Sequence, residues 1–211
     1  EIYTLSLHDA LPIWSAESIL NEEPLDFLSP ENAYLTEKGA LQGITAIHHR
    51  VRNAYYTYRE FGVMNWATHG SDLGYCGEDP AAGNVYLNSY GDMTPVRRNV
   101  VDTWNAGFQI IQWANMLIDK VQKADASIFK DGEAGKNKYI AEGKFFRAFA
   151  YRYLVSTYGD IPLIKEPLYA PKTDFVRNPV ADIHALMLED FKFGTRSEEH
   201  TSELQSRSAI S

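Results

Sequence analysis

Residues 133–158 constrain this chain more than any other stretch. Phe145, Phe146, Ala148, Phe149, Ala150, Tyr153 and Leu154 project around nearly the whole circumference of a helix. A helix that is apolar on all sides must be covered on more than one side, so neighbours have to sandwich it. Gly159 ends it and Pro162 prevents continuation. The following GDIPLI, residues 159–164, reads as an extended exit.

The neighbours are legible as well. Thr36 is a good N-cap for a helix over 37–60, in which Leu41, Ile44, Ile47, Val51, Ala54, Tyr55 and Tyr58 recur every three or four residues. A helix over 97–124 carries Val101, Trp104, Phe108, Ile111 and Ile118 as one stripe, with Asn115 inside it. Gly107 and Ala114 fall on the adjoining stripe with Val100 and Val121, where small residues let another helix come close. Asn178 and Pro179 set up a fourth helix over 179–192 by cap and first-turn logic. Between the first two helices, residues 62–96 hold six glycines, Pro80 and Pro95, and a loop of that length in a compact domain is usually functional or a lid. The expected fold is all-α, with tetratricopeptide-like antiparallel helix pairs and a long Gly-rich loop.

Composition narrows the chemistry. With 45% hydrophobic residues the 211-residue chain is not disordered, and it has no run of about 18 apolar residues to make a membrane-spanning helix. The single cysteine, Cys76, excludes an internal disulfide framework and a thiolate zinc cluster. A net charge of -8 argues against a nucleic-acid partner.

No catalytic or metal constellation emerges. His48 and His49 are adjacent, and adjacent helix residues point about 100° apart, so they do not share a ligand face. His69 and His184 stand without an acidic partner at ligand spacing. Asp72, Glu78 and Asp79 do not follow the alternate-oxygen spacing of a calcium loop. There is no G-x-S-x-G elbow, no phosphate loop and no assignable base for Cys76. No cofactor, no metal and no enzymatic activity are expected. Aromatics carry the ligand chemistry instead, because sugars present apolar C–H faces to rings and hydroxyls to polar groups. Trp104, Phe108, Trp113, Phe145, Phe146 and Phe149 are read as core. The loop residues Trp66, Tyr75, Tyr86 and Tyr90 are candidate ligand contacts, with Asn88 two residues from both Tyr86 and Tyr90. In an extended loop these last three point the same way and make a stack-plus-hydrogen-bond unit. Glu142 and Arg147 are read as polar anchors between packed helices, since buried charges need partners.

The two ends look foreign. Read back into codons, residues 1–13 resemble one sequencing-library adapter and residues 196–206 the opposite one, with a barcode supplying Arg207 to Ala209. Residues 1–13 and 196–211 are therefore expected to be adapter-derived, and residues 14–195 the natural segment, cut by fragmentation.

Within that segment, AEGKFFRAFAYRYLVSTYGDIPLI (141–164) resembles the hallmark of the SusD/RagB family of nutrient-uptake lipoproteins. Three flanking pieces agree in order: LNEEPLDFLSPENAYLT (20–36), WNAGFQIIQWANMLIDKV (104–121) and RNPVADIHALMLEDF (177–191). The resemblance implies a lipid-anchored protein at the outer membrane of Bacteroidetes-type bacteria. Such proteins capture an oligosaccharide or similar nutrient without chemistry and deliver it to a SusC-like TonB-dependent transporter. It also implies that residues 14–195 are an incomplete N-terminal helical region, with the lipidated cysteine upstream of Trp14 and most of the ligand-binding half downstream. Contacts in the loop before the second helix are common in the family. The alternative is a tetratricopeptide-type scaffold binding peptides or proteins.

Overall fold

In a computed structural model, the described residues are 34–56, 68–75, 85–88 and 93–208. The side chains of Val85, Tyr86 and residues 197–208 fall outside that description. Among the described residues four α-helices are seen from end to end, α1 (Glu37–Tyr55), α2 (Arg98–Lys123), α3 (Gly132–Tyr158) and α4 (Val180–Ser208), and no strand longer than a single bridge occurs.

Each start and stop has a local cause. The Thr36 hydroxyl accepts the N–H of Gly39 at 3.1 Å, which satisfies one orphan donor of α1 as the cap reading requires. Helix α1 ends at Tyr55 rather than at 60. Ile44, Ile47, Val51 and Tyr55 are buried as the stripe predicts, but Leu41 is exposed and Ala40 takes the inward position. Tyr58 lies outside the described residues. Gly159 closes α3 with φ of +70°, a conformation that glycine adopts without cost. Helix α4 continues past 192 to Ser208, beyond the range its apolar pattern suggests.

The helices pack as antiparallel neighbours. A Cβ on Gly107 would meet the Leu154 side chain at 2.7 Å, and one on Gly143 would meet Ile118 at 3.0 Å. The pairs Ile118–Gly143 and Gly107–Leu154 run in opposite directions, so α2 and α3 are antiparallel and touch where their residues are smallest. The Tyr158 hydroxyl donates to the Val100 carbonyl at 2.6 Å and continues the register. Helix α4 returns along α3 in the same way, through Asp160–Val180 at one end and Arg147–Asp190 further on. Helix α1 begins beside the turn that leaves α2, where the Glu37 carboxylate accepts the Lys130 N–H at 3.1 Å.

Helix α3 is thus covered by α2 and α4 and touches α1, the sandwich that its all-round apolar surface demanded. Ala148, Ala150, Tyr151 and Leu154 are fully buried. Phe145 is a correction: it is 47% exposed, because its direction falls at the edge between α1 and α4. It still rests against Phe146, Phe149 and Phe191. Val101 is likewise exposed. Trp104, Phe108, Trp113 and Phe149 are only partly buried against the core.

Candidate functional site

The segment after α3 organises one wall of a groove among the described residues. Asp160 follows the Gly159 reversal, and its carboxylate accepts the N–H of Val180 at 3.0 Å. A carboxylate there suits the positive end of the helix dipole. The cap of α4 therefore comes from twenty residues upstream and not from Asn178, the residue its sequence position suggested. Asn178 instead bridges to Ile161, donating its N–H to that carbonyl at 2.9 Å. Its side-chain oxygen accepts the Leu163 N–H at 3.0 Å.

Beyond Ile161 the extended chain finds its partners on side chains rather than on another strand. The Tyr151 hydroxyl accepts the Ile164 N–H at 2.7 Å and donates to the Ile164 carbonyl at 3.1 Å. Burial pushes this phenol up to about 12, opposed by the Ile164 hydrogen bond. The Asn115 amide donates to the carbonyls of Ile164 and Glu166. Gln112 uses both ends of its amide on Leu168, donating at 2.8 Å and accepting at 2.9 Å.

Arg147 ties this edge to α4. Its guanidinium is bidentate on Asp190, at 2.8 and 2.7 Å, and donates to the Asn115 oxygen at 2.8 Å and the Lys165 carbonyl at 3.0 Å. Asp190 is 0% exposed and Arg147 5%. Arg147 is the interhelical anchor that its place in the hallmark suggested. Glu142 is partly buried and its carboxylate stands 3.8 Å from His48, so it too spans two packed helices, α3 and α1.

Outside the segment lies a groove of about 540 Å3, between α2 and residues 162–175. Trp104, Phe108, Tyr169 and Phe175 are its rings. Trp104 packs on Phe108 and meets Tyr158 edge-on, with centroids 4.7 and 5.1 Å apart. The Tyr169 hydroxyl donates to Asp119 at 3.0 Å, while Lys120 sits over its ring. Helical periodicity predicts Trp104 and Phe108 as core, and Tyr169 and Phe175 lie outside any such pattern. Only the fold brings residue 169 beside helix α2, so periodicity held no signal for it.

The candidate ligand residues fall elsewhere. Tyr75 is 67% exposed in an irregular stretch, next but one to the 93% exposed Leu73. Residues Val85–Asn88 form a 3-10 turn, with Leu87 fully buried. The backbone over residues 85–88 is therefore a turn and not an extended run. Trp66 and Tyr90, and the side chain of Tyr86, lie outside the described residues. Asn88 is half-buried and has an interaction of its own.

The histidines stay apart. His48 meets Phe146 edge-on, and His49 shares a hydrogen bond with Asn53 at 2.8 Å. Among the described residues no group of three or more His, Cys, Asp or Glu side chains could hold a metal ion. Nor is any described helix long and apolar enough to cross a membrane. Cys76, Glu78 and Asp79 lie outside the described residues.

Antiparallel helix pairs closed by an ordered extended strap define a tetratricopeptide-like helical fold. Its relatives make the class specific. Residues 68–208 match the SusD-like family described as "Starch-binding associating with outer membrane". The chain belongs to the SusD/RagB family. It is 29% identical over 160 residues to a SusD-like protein of Formosa agariphila, covering 74% of this chain and 29% of that one. A second protein of the same organism is 25% identical over 180 residues, covering 84% and 33%. Among solved structures, a laminarin-binding SusD-like protein superposes with TM-score 0.65 at 21% identity, covering 77% of this chain and 34% of that one. A SusD-like carbohydrate-binding protein of Bacteroides fragilis gives 0.62 at 21% identity, covering 79% and 32%. The chain therefore spans about a third of the length of these relatives.

Proposed function

We propose that this chain is the N-terminal helical region of an outer-membrane lipoprotein that captures glycans and hands them to a SusC-like TonB-dependent transporter. The family match over residues 68–208 carries the reading. Structural relatives that bind laminarin and other carbohydrate support the ligand class. The mechanism is reversible binding and release, with no bond made or broken. The ligand-contacting residues are proposed to come from the loop between α1 and α2. Tyr75 offers an exposed ring there, and Trp66, Tyr86, Asn88 and Tyr90 are its proposed companions. The lipid anchor is proposed upstream of Trp14, and residues 14–195 are proposed as the natural segment.

The test is titration of the complete protein with laminarin and starch oligosaccharides, followed by chromatography of the sugar. Saturable binding with unchanged sugar length is expected. Shortened sugar would overturn the non-enzymatic reading, and binding of peptides but of no glycan would overturn the ligand class. Removing residues 1–13 and 196–211 is expected to leave the melting temperature unchanged.

A further inference from the structure

The groove between α2 and residues 162–175 keeps its rings in solvent. Tyr169 is 58% exposed and Phe175 40%, while Trp104 and Phe108 on the α2 wall are only partly buried. Rings that line a hollow of about 540 Å3 fit a small-molecule site better than a core. The walls are also rigid. Pro162 and Pro171 fix the backbone of the strap, and Gln112, Tyr151 and Asp119 hold Leu168, Ile164 and Tyr169 in place. A preformed wall loses little freedom when a ligand arrives.

The rim narrows the ligand class. Lys120 sits over the Tyr169 ring, and Lys123 pairs with Asp119 at 2.6 Å. Lys172 sits over the Phe175 ring and stands 3.9 Å from Asp174. Both signs of charge meet at each ring, so no net field draws a partner of one charge. Donors and acceptors side by side suit a neutral hydroxyl, which is both at once. An extended peptide is served poorly. The strap's backbone groups at Ile164 and Leu168 are already taken by Tyr151, Asn115 and Gln112, and they leave it no ladder to join.

A second hollow, of about 320 Å3, adjoins the first, and Pro162, Ile164, Leu168 and Phe175 line both. The second adds Lys165, Glu166, Lys172, Asp174 and Asn178. The Asn178 side-chain oxygen is spent on the Leu163 N–H, which leaves its amide N–H groups for another partner. Phe175 thus borders an apolar hollow and a polar one. A sugar ring has the same division, with an apolar C–H face and a polar hydroxyl edge.

We propose that these joined hollows are a glycan subsite distinct from the loop between α1 and α2. Tyr169 and Phe175 stack on sugar rings, while Lys172, Asp174 and Asn178 take the hydroxyls. The inference rests on the glycan reading above and gives it a second place on the molecule.

Titration of the complete protein with laminarin and starch oligosaccharides, beside a variant carrying Tyr169→Ala and Phe175→Ala, tests it. Both rings are exposed, so the melting temperature should hold while affinity for the bound sugar falls several-fold. Equal affinity in the variant overturns the subsite and leaves the glycan reading standing. Binding of neither sugar to the unmodified protein overturns both. Alkylation of Ala170→Cys, in a background with Cys76→Ser and no other free thiol, gives a second readout. The bound sugar should slow it several-fold and leave Ala46→Cys, on the exposed face of α1, unaffected. Equal rates with and without sugar overturn the subsite. So does a thiol at position 170 that resists alkylation in the absence of sugar, which would show the groove filled by polypeptide.

Discussion

Two arginine–aspartate pairs in this molecule use the same chemistry in opposite settings. Arg98 and Asp102 meet at 3.2 Å, four residues apart on the surface of α2, with side chains 69% and 47% exposed. Arg147 and Asp190 meet at 2.7 Å across two helices, with side chains 6% and 0% exposed. Water screens the first pair and competes with it, so it contributes little. The second pair has no water to fall back on, and each member depends on the other. Lys144, 3.5 Å from the same carboxylate, and Asn115 complete the arrangement. Distance alone does not rank the pairs; burial and connectivity do. The surface pair links a helix to itself. The buried pair holds α3, α4 and the strap at residues 164–166 in one register.

The comparison can be broken at several points, in falling order of effect. Asp190→Ala leaves the buried Arg147 and Lys144 charges facing each other without a counter-charge. It should cost about 3–5 kcal/mol in urea unfolding; a loss as small as that of an exposed pair would show that the latch is open in solution. Tyr151→Phe removes the hydroxyl that serves both the N–H and the carbonyl of Ile164, and about 1–3 kcal/mol should go with it. The same phenol predicts a pH dependence. Its folded pKa, about 12, is above its ordinary value of 10.0, so its contribution is complete below pH 10 and lost as pH rises towards 12. Helicity followed by circular dichroism should fall in that window, and in Tyr151→Phe this part of the fall should vanish. Tyr158, also pushed up to about 12 by burial, and Tyr34, Tyr55, Tyr139 and Tyr153, raised in the same direction, keep the remainder.

Smaller effects sharpen the contrast. Asp160→Ala removes the cap on Val180 and should cost about 1 kcal/mol, whereas Asn178→Ala should disturb the bridge to Ile161 and Leu163 more than the helix start. Hydrogen exchange at the first turn of α4 separates the two. Arg98→Ala should change stability by less than about 0.5 kcal/mol, and 0.5 M salt should erase even that difference. Tyr75→Ala, at a largely exposed ring, should leave unfolding unchanged while lowering oligosaccharide affinity in the complete protein. Unchanged affinity removes Tyr75 from the proposed site.

Much of the scaffold was legible in the residues. The all-round apolar helix, its Gly159 stop, the Thr36 cap and the close approach at Gly107 follow from local rules: periodicity, cap geometry and side-chain size. The site was less so. Trp104 and Phe108 read as core because periodicity reports which side of a helix is apolar, not whether that side is closed. Asn178 reads as a cap because its type and place fit, and the fold gives that task to Asp160. The loop residues read as an extended stretch, whereas Val85–Asn88 is a 3-10 turn.

By itself, then, the sequence determined where helices form, which sides they bury and that the central one is enclosed. These are local matters, settled by hydrophobic spacing and by the fixed 3.6-residue turn. The tertiary structure decided what no spacing encodes. Asp190 meets Arg147 from 43 residues away, Gln112 meets Leu168 from 56, and Tyr169 comes to face Phe108 across an open groove. Those encounters depend on how the helices cross and where the strap lies. Their energies come from burial, which exists only once the chain has folded.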